Sequence, residues 1–295
     1  MVIVTLGGGL GNQLFQYATA RQVALRNKTQ LKLYISNITN EPNRTYKLGH
    51  FNIVEEFATE EEVDRLIKPY YTETLYAKLY RKLDTYRPKF RRKYYRENAY
   101  WGFEAEVMKI GAPVLLEGFW QHREYAEAFS PGLRNELTLK SEYTSNDQIL
   151  AQIVNDENAV SLHFRRGDYQ SDPNNLNFFG VLPLEYYLKA IDHMLEKVPQ
   201  AIFYVFSDDL AWVKENLPTT ARTVFVDIEG GTKDYLELDA MSKCRHNVIA
   251  NSSFSWWAAY LNTNPNKIVI APKRWVVDEQ QNSKVQVQLP EWIQM

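Results

Sequence analysis

The stretch AVSLHFRRGDY, residues 159–169, begins with the alternation of a β-strand and ends in charged residues around a glycine. Successive side chains of a strand point to opposite faces of a sheet, so His163 and Arg165 are expected on one face. The opposite face is predicted to be apolar and to carry Val160, Leu162 and Phe164. This segment is therefore predicted to be a buried strand that delivers polar groups at its carboxyl end.

The rest of the second half repeats the order of strand, short connection and helix. Strands are predicted at 159–165, 201–206, 223–227, 246–250 and 267–271, and helices at 184–196, 209–216, 233–243 and 254–262. Strands that alternate with helices pair in parallel, with helices on both faces of the sheet. The pattern predicts a doubly wound parallel sheet.

Polar residues follow several of these strands at the point where each strand ends. RRGDY follows the first strand, SDD the second, NSSFS the fourth and PKRW the fifth. Ligands of open parallel sheets bind outside the carboxyl ends of the strands, where loops lead into helices. We therefore expect these polar groups to gather at one edge of the sheet.

Two roles for the Arg-Arg-Gly-Asp cluster are open. The planar donor fork of Arg165 suits a phosphate, but the cluster is also compatible with a structural salt bridge. Arg166 is expected on the other side of the strand, or outside it, as an anchor for Asp168. Ser207 or Asp208 is expected to cap the next helix.

The NSSFSWW segment has the serine pair Ser252 and Ser253 ahead of an aromatic-rich helix. Such a pair is an ordinary N-cap and also a donor-rich helix start where a phosphate can sit. Capping alone explains one such start. Two of them beside an arginine pair indicate a nucleotide site.

The amino-terminal half opens with strand VIVTL, the turn GGGLGNQ and the helical pattern LFQYATARQVALRN. A dinucleotide fingerprint from Gly7 needs glycine where Asn12 stands, and no acidic residue closes the second strand LKLYI. The Gly-Lys-Ser/Thr ending of a P-loop is missing too. We expect a glycine turn with Asn12 as the helix cap.

The middle of the chain is less regular, with helices expected near 60–67 and 70–84 and a strand at 113–120. The domain boundary is predicted near residue 150, giving domains 1–150 and 151–295. Residues 78–97 hold nine Lys or Arg against two acids. This segment is either a solvated helical face and loop or a contact for anionic lipid or a lipid-linked pyrophosphate acceptor.

Composition limits the function classes. A net charge of −2 and a pI near 6.3 argue against a nucleic-acid partner. Asp208 and Asp209 are adjacent and the histidines form no ligand pattern, so neither a metal nor a cofactor is expected. The lone Cys244 and the absence of signal-peptide features predict a cytoplasmic protein, with peripheral contact at the inner face of the membrane as an option.

Tryptophans offer a further expectation. Trp256, Trp257 and Trp275 are expected in the core, whereas Trp120, at the end of a strand of the first domain, is better placed to stack on a sugar.

GGGLGNQLFQYA, HFRRGDY, FSDD and NSSFSWWAAYL, in this order and at these spacings, closely resemble bacterial α-1,2-fucosyltransferases of glycosyltransferase family eleven. The resemblance covers nearly the whole chain except its middle. It implies a GT-B-like architecture, in which an acceptor-binding α/β domain and a GDP-fucose-binding Rossmann-like domain face a cleft. It also implies metal-independent, inverting transfer of L-fucose from GDP-β-L-fucose to the 2-hydroxyl of a terminal β-galactose, on a free or lipid-linked oligosaccharide.

The resemblance also suggests roles for individual residues. Arg165 matches the arginine that holds the β-phosphate, and His163 and Asp239 match residues that contact guanine. Asn12 matches the asparagine expected near fucose and pyrophosphate. The remaining nucleotide contacts suggested are Ser252, Ser253 and Ser255 on phosphate and Phe254 against the base, with Ser207 and Asp208 at the same rim.

The catalytic base is not transferred by this resemblance. Related enzymes of core N-glycans carry a glutamate five residues after the motif aspartate, where this chain has Pro173. Asp168 and Asp172 are the candidates, and a mechanism without a strong base stays open. Two other functions are also open: a transferase for a different GDP-sugar on the same scaffold, and a GDP-sugar or glycan-binding protein without turnover.

Overall fold

The computed structural model describes residues 1–36, 38, 44–98, 101–140, 148–218, 221–228, 231 and 233–295. These residues form two compact units, Met1–Thr138 and Leu139–Met295. Each unit has helices around an all-parallel sheet, which confirms the predicted α/β fold class. The roles of the two units in binding acceptor and donor stay predictions.

The sheet of the N-terminal unit is built from four short strands. They are β1 (Val2–Thr5), β2 (Leu31–Tyr34), β3 (Tyr94–Arg96) and β4 (Val114–Glu117). Their order is β2-β1-β4-β3, and every pair is parallel. Because β1 and β4 are the two inner strands, the loops that follow them lie side by side at the carboxyl edge of the sheet.

The helices of this unit include the two expected near 60–67 and 70–84, although the first extends to Tyr71 and the second begins only at Leu75. They are α1 (Leu10–Arg26), α2 (Glu60–Tyr71), α3 (Leu75–Thr85), α4 (Arg123–Glu127) and α5 (Pro131–Glu136), with 3₁₀ turns at Leu48–His50, Lys89–Arg91 and Ala105–Lys109. Helix α2 begins at a capping box, in which Thr59 and Glu62 bond to each other's backbone N–H groups. Its apolar side packs on the sheet through Val63 and Leu66.

Helix α1 begins earlier than the sequence predicts. Its N-cap is Gly9, so Asn12 lies inside the first turn and the prediction that Asn12 caps the helix is wrong. Gly8 has a φ of +72°, a conformation that favours glycine, and it turns the chain so that helical hydrogen bonds start at once. The side chain of Asn12 is thereby left for other contacts.

The C-terminal unit contains the predicted doubly wound sheet. Its strands are β5 (Ala159–Phe164), β6 (Ile202–Ser207), β7 (Arg222–Phe225), β8 (His246–Val248), β9 (Val269–Ala271) and β10 (Ile293–Gln294). Their order is β10-β9-β8-β5-β6-β7, all parallel. Strand β5, which leads into the Arg-Arg-Gly-Asp stretch, is an inner strand and lies between β6 and β8.

Helices cover both faces of this sheet. They are α6 (Gln148–Asn155), α7 (Gly167–Ser171), α8 (Pro173–Phe178), α9 (Leu184–Lys197), α10 (Leu210–Asn216), α11 (Asp234–Lys243), α12 (Ser253–Leu261) and α13 (Glu279–Asn282). The predicted α9 to α12 and β5 to β9 are confirmed, with their ends within one residue except at the carboxyl ends of β7 and β8 and the start of β9, which differ by two. Helices α7 and α8, in the loop after β5, were not predicted.

The side-chain alternation of β5 is confirmed. Val160, Leu162 and Phe164 pack into one core with helix α9, and the Phe164 ring stacks on Tyr187 at 3.8 Å between centroids. On the other face, the Ser161 hydroxyl accepts a hydrogen bond from Asn247. Both faces of β5 are buried, as is typical of an inner strand of a doubly wound sheet.

The predicted core tryptophans and the predicted sugar platform have different outcomes. Trp256, Trp257 and Trp275 are buried, as expected. Trp120 is also buried, with 0% of its surface exposed, so the expectation that it offers a face to a sugar is wrong. Its ring packs edge to face on Tyr125, which gives it a structural role.

The two units meet in sequence between Thr138 and Leu139, and helix α6 carries the chain past position 150. Residues 141–147 lie outside the described part. Within the described residues, every helix is too short or too polar to cross a lipid bilayer.

Candidate active site

The carboxyl edge of the C-terminal sheet gathers the charged groups that follow β5 and β6. Arg165 is the centre of this cluster. Its guanidinium contacts Asp168 Oδ1 at 2.5 Å through Nη2 and Asp208 Oδ2 at 2.8 Å through Nη1. The guanidinium also lies 5.2 Å from the centroid of the Tyr169 ring. Burial disfavours its charge, but the carboxylates of Asp208 and Asp168 outweigh burial and raise the pKa of Arg165.

Asp208 links the two strand ends. Besides binding Arg165, it accepts a hydrogen bond from the Arg166 backbone N–H at 2.8 Å. Gly167 lies against the same carboxylate, because a Cβ added at Gly167 would come within 2.6 Å of Asp208 Oδ2. The glycine of the Arg-Arg-Gly-Asp stretch is thus required by the close approach of a carboxylate.

The sequence suggested that Arg166 anchors Asp168, but the side chain of Arg166 has other partners. Its Nε lies 3.3 Å from Asp209 Oδ2, and its guanidinium carbon lies 3.4 Å from the centroid of the Trp212 ring. The side chain is buried. Strand β5 ends at Phe164, and the Arg166 side chain turns towards helix α10, where its contacts give it a structural role. Asp168 is held by Arg165 instead.

His163 is buried beside Arg165 and carries an uncommitted nitrogen. Its Nδ1 has no hydrogen-bond partner within the described ranges, and the same holds for Nε of Arg165. Burial and the charge of Arg165 lower the pKa of His163 to about 3, so the ring is neutral at ordinary pH. Its ring lies 5.6 Å from that of Phe254, which places the start of α12 beside the end of β5.

The serines at the start of α12 differ in their burial and in the hydrogen bonds of their hydroxyl groups. Ser252 is the N-cap, as predicted, and its hydroxyl accepts from the Phe254 N–H at 3.3 Å. Ser255 is buried, and its hydroxyl accepts from Ala250 N–H and donates to the Ser252 carbonyl. Ser253 is the first residue of the helix and is partly exposed.

The loop after β6 is capped differently from the prediction. Asp209 caps helix α10 by accepting from the Trp212 N–H at 3.2 Å. Ser207 supports that cap, because its hydroxyl accepts from the Asp209 N–H at 2.9 Å. The prediction that Ser207 or Asp208 is the cap is therefore wrong, since Asp208 turns back to the arginines.

Two further predicted site residues have their contacts outside the Arg165 cluster. Asp172 caps helix α8 and accepts from the Asn174 N–H at 2.8 Å. Asp239 lies in α11, where burial raises its pKa against the opposing charge of Lys243, 3.6 Å away. The structure shows no contact between Asp239 and His163.

The carboxyl edge of the N-terminal sheet is built from amides. Asn12 Oδ1 accepts from Gln121 Nε2 at 2.7 Å, which joins the loops after β1 and β4. Gln13 donates to the carbonyls of Gly8 and Thr45. Gln16 accepts from the Gly7 N–H and donates to the Gly118 carbonyl. The buried side-chain amides of Gln13 and Gln16 therefore hold the glycine turn in place.

Glu97 fixes the loop after β4. Its carboxyl accepts from the Phe119 N–H at 2.6 Å and from the Trp120 N–H at 3.1 Å. Burial raises the pKa of Glu97 to about 7, against the lowering effect of these N–H groups. Trp120 has a φ of +57°, and this clamp holds it in that left-handed conformation next to Gln121.

Sequence reasoning missed Gln121, Glu97 and the role of Gly167. Gln121 directly follows the strand predicted at 113–120, and the same rule of strand ends would have selected it. Nothing local in the sequence pairs Glu97 with that loop. Among the described residues, no group of three or more His, Cys, Asp or Glu could hold a metal ion; metal independence stays a prediction.

Comparisons with known proteins agree with the motifs. The family model described as Glycosyl transferase family 11 matches residues 1–295. The O-antigen biosynthesis glycosyltransferase WbnK of Escherichia coli is 29% identical over 98% of this chain and 99% of that protein. An alpha-1,2-colitosyltransferase of Escherichia coli is 31% identical over 96% of this chain and 95% of its own length. Galactoside alpha-(1,2)-fucosyltransferase 2 of Mus musculus is 32% identical over 50% of this chain and 40% of its own length.

Proposed function

This chain belongs to glycosyl transferase family 11, as its motifs predicted, and we propose that it transfers L-fucose from GDP-β-L-fucose to the 2-hydroxyl of a terminal β-galactose. The anomeric configuration inverts, so the product carries an α-1,2 linkage. The acceptor is an oligosaccharide of the kind assembled into a bacterial polysaccharide, a class supported by the name of the O-antigen relative.

The observation that carries this proposal is the pair of uncommitted nitrogens at the end of β5. His163 Nδ1 and Arg165 Nε are both buried without a partner among the described residues. Buried polar atoms in native proteins are nearly always bonded, so this pair indicates a site for a ligand with acceptor atoms. A guanine base and a diphosphate supply such atoms.

The chemistry of the leaving group explains why a guanidinium is needed. Breaking the bond between fucose and phosphate leaves negative charge on GDP and positive charge on the sugar. Arg165, held in place by Asp168 and Asp208, and the positive end of the α12 helix dipole stabilise that departing charge. Such groups are preorganised, so they need not reorient as the charge develops.

Asp168 and Asp172 are the candidates for the base that accepts the proton of the attacking hydroxyl. A mechanism in which neither carboxylate acts as the base is the alternative. Asp168 is already engaged by Arg165, and Asp172 by the cap of α8. Replacing each in turn, as Asp168→Asn and Asp172→Asn, identifies the base by a fall of ~100- to 10,000-fold in the transfer step. Unchanged single-turnover rates in both variants would mean that neither carboxylate acts as the base.

The decisive experiment is product analysis by NMR after incubation with GDP-fucose and a panel of galactosides, with EDTA present. We expect a new α-1,2-fucosyl linkage on terminal galactose, formed in the presence of the chelator. A different donor, a different linkage or a requirement for divalent metal would each reject the corresponding part of the proposal.

A second candidate function is transfer of colitose, the 3-deoxy counterpart of L-fucose, and the colitosyltransferase relative favours it. The two donors differ by one hydroxyl group. A site that hydrogen-bonds this hydroxyl rejects the analogue lacking it by about 10⁴- to 10⁵-fold, whereas an apolar pocket discriminates weakly. Competition between GDP-fucose and GDP-colitose, with GDP-mannose as a third donor, therefore separates the candidates. Tight binding without turnover of any donor would indicate a binding protein instead.

A further inference from the structure

Helix α3 exposes a continuous apolar face. The face is formed by Leu75, Tyr76, Leu79 and Leu83 of the helix and by its C-cap residue Tyr86, which are between 55% and 87% exposed. Soluble proteins commonly expose single large apolar residues, but a contiguous set of this kind marks an interaction surface. We call this set the apolar face of α3.

The geometry of the helix shows that this face is not a poorly packed core. At 3.6 residues per turn, the five side chains fall within about 100° of arc. The opposite side of the helix is buried, with Ala77 at 0% exposed and Asp84 at 2%. Helix α3 is therefore fixed on the N-terminal unit by one side and turns its other, apolar side to solvent.

Two exposed lysines border the apolar face, in a segment rich in basic residues. Within 78–97, nine Lys or Arg stand against two acids. Both acids are committed: Asp84 is buried and bonds to the Tyr70 hydroxyl, and Glu97 accepts from backbone N–H groups. Lys78 and Lys82 follow the edge of the apolar face along the helix and are exposed. The apolar and tyrosine side chains thus lie beside the positive charge of Lys78 and Lys82, although Lys78 also lies 3.5 Å from the exposed carboxylate of Glu73.

We propose that the apolar face of α3 and the basic residues of 78–97 form a docking surface for an anionic lipid bilayer. Helix α3 would lie in the plane of the interface, with its leucines below the head groups and its tyrosines and lysines at their level. Negatively charged head groups would complement the lysines and arginines, each strengthening binding by about five-fold near the surface.

Charge selects the lipid over a second copy of this chain. A two-fold contact would place the same patch against itself and would bring Lys78 and Lys82 of one copy close to the same lysines of the other. An anionic bilayer meets the same apolar need and reverses the sign of the electrostatic contribution. This inference does not depend on which donor or acceptor the enzyme uses.

The test is co-sedimentation of the full chain with vesicles of phosphatidylcholine alone or with about one third phosphatidylglycerol. We expect binding to the anionic vesicles, weak binding to the neutral ones, and a loss of binding in high salt. The double variant Leu79→Ser/Leu83→Ser removes apolar area and should bind at least ten-fold more weakly. Lys78→Glu/Lys82→Glu reverses two charges and should weaken binding by at least 25-fold.

Control variants carry changes of the same kind at exposed sites of the C-terminal unit. Leu176→Ser removes an exposed leucine, and Lys197→Glu/Lys284→Glu makes the same change in net charge in the C-terminal unit. Both should bind vesicles like the unchanged protein. The proposal is overturned if the unchanged chain ignores anionic vesicles, or if the α3 variants bind no worse than these controls.

A lipid-free dimer that Leu79→Ser/Leu83→Ser converts to a monomer in sedimentation velocity would also overturn it, in favour of a second copy as the occupant. Because all four replaced α3 residues are exposed, their variants should fold and unfold like the unchanged chain, and thermal unfolding checks this directly.

Discussion

Beyond β5 and β6, the sheet edge of the C-terminal unit carries two arginines and three aspartates, whereas beyond β1 and β4 the N-terminal unit carries mainly glycines and amides. The charged edge is held by ion pairs such as Arg165 with Asp208. The amide edge is held by Gln13, Gln16 and the contact between Gln121 and Asn12. The same position in two parallel sheets thus has two different chemistries.

The difference follows from what each kind of group can bind. A guanidinium fixed by carboxylates offers permanent charge and suits a ligand that is charged or becomes charged during reaction. Amides offer donors and acceptors without charge and suit a neutral ligand rich in hydroxyl groups. We infer that the C-terminal edge serves the nucleotide and the N-terminal edge serves sugars.

The largest expected effect comes from removing the central charge. Arg165→Ala should lower turnover by ~100- to 1000-fold, equivalent to ~2.7–4 kcal/mol in the barrier, because the departing diphosphate loses a preorganised partner. Arg165→Lys should recover little, since a point charge does not reproduce the planar fork. Steady-state kinetics measures both, with Arg222→Ala as the control arginine in β7. Near-normal turnover of a folded Arg165→Ala protein would break the comparison.

The second effect concerns acid stability of the charged edge. The folded-state pKa of His163 is lowered from 6.5 to about 3, so the unfolded chain binds a proton below about pH 6.5 that the folded chain does not. Stability from this group is present above pH 6.5 and is lost as pH falls, by about 3 kcal/mol at pH 4. Urea unfolding of His163→Gln between pH 7 and 4 should show a shallower decline than the unchanged chain. Parallel declines would contradict the assignment.

The third effect tests the close packing at Gly167. Gly167→Ala would push a methyl group into the Asp208 carboxylate, which Arg165 and the Arg166 N–H already hold. We expect a loss of about 1–3 kcal/mol in the free energy of unfolding, as for other overpacked sites. Gly132→Ala is the matched control, because nothing lies within 4 Å of a Cβ added there. Equal stabilities of the two variants would show that Asp208 yields without cost.

The smallest expected effect concerns Glu97, which holds the loop after β4 at the amide edge. Burial raises the folded-state pKa of Glu97 from 4.5 to about 7, so the folded chain holds a proton that the unfolded chain releases. This contribution is present below pH 4.5 and is lost as pH rises through 7, the opposite sign to His163. Because the side chain is partly exposed, we expect about 1–2 kcal/mol. Glu97→Gln should flatten the unfolding profile between pH 5 and 8, and an unchanged slope would exclude this proton.

The C-terminal unit was more predictable than the N-terminal one for a physical reason. Its strands are buried on both faces and its helices follow at short intervals, so periodicity in β5 or α9 reports the fold directly. The start of helix α3 was predicted near residue 70 but lies at Leu75, because Thr74 is the N-cap and its hydroxyl accepts from the Ala77 N–H. Pro69, by contrast, lies inside helix α2 without ending it.

Within the candidate site, residue types were predictable and partners were not. The alternation of β5 correctly predicted the apolar face of Val160, Leu162 and Phe164, because it depends only on neighbours in sequence. The partners of Arg166 and Asp208 lie some forty residues away along the chain, and a single sequence does not encode such pairings in its periodicity. The cap at Asn12 failed because glycine at position 9 took that place.

The two uncommitted nitrogens of His163 and Arg165 also connect ligand supply to the lifetime of the protein. Buried polar atoms without partners lower the stability of the folded chain, and the nucleotide that we propose as ligand would satisfy them only in the folded form. At a ligand concentration 100 times the dissociation constant, this linkage adds about 2.7 kcal/mol to the unfolding free energy. Cells short of the donor would hold an enzyme that opens more often and is degraded sooner, so its abundance would follow the nucleotide-sugar pool.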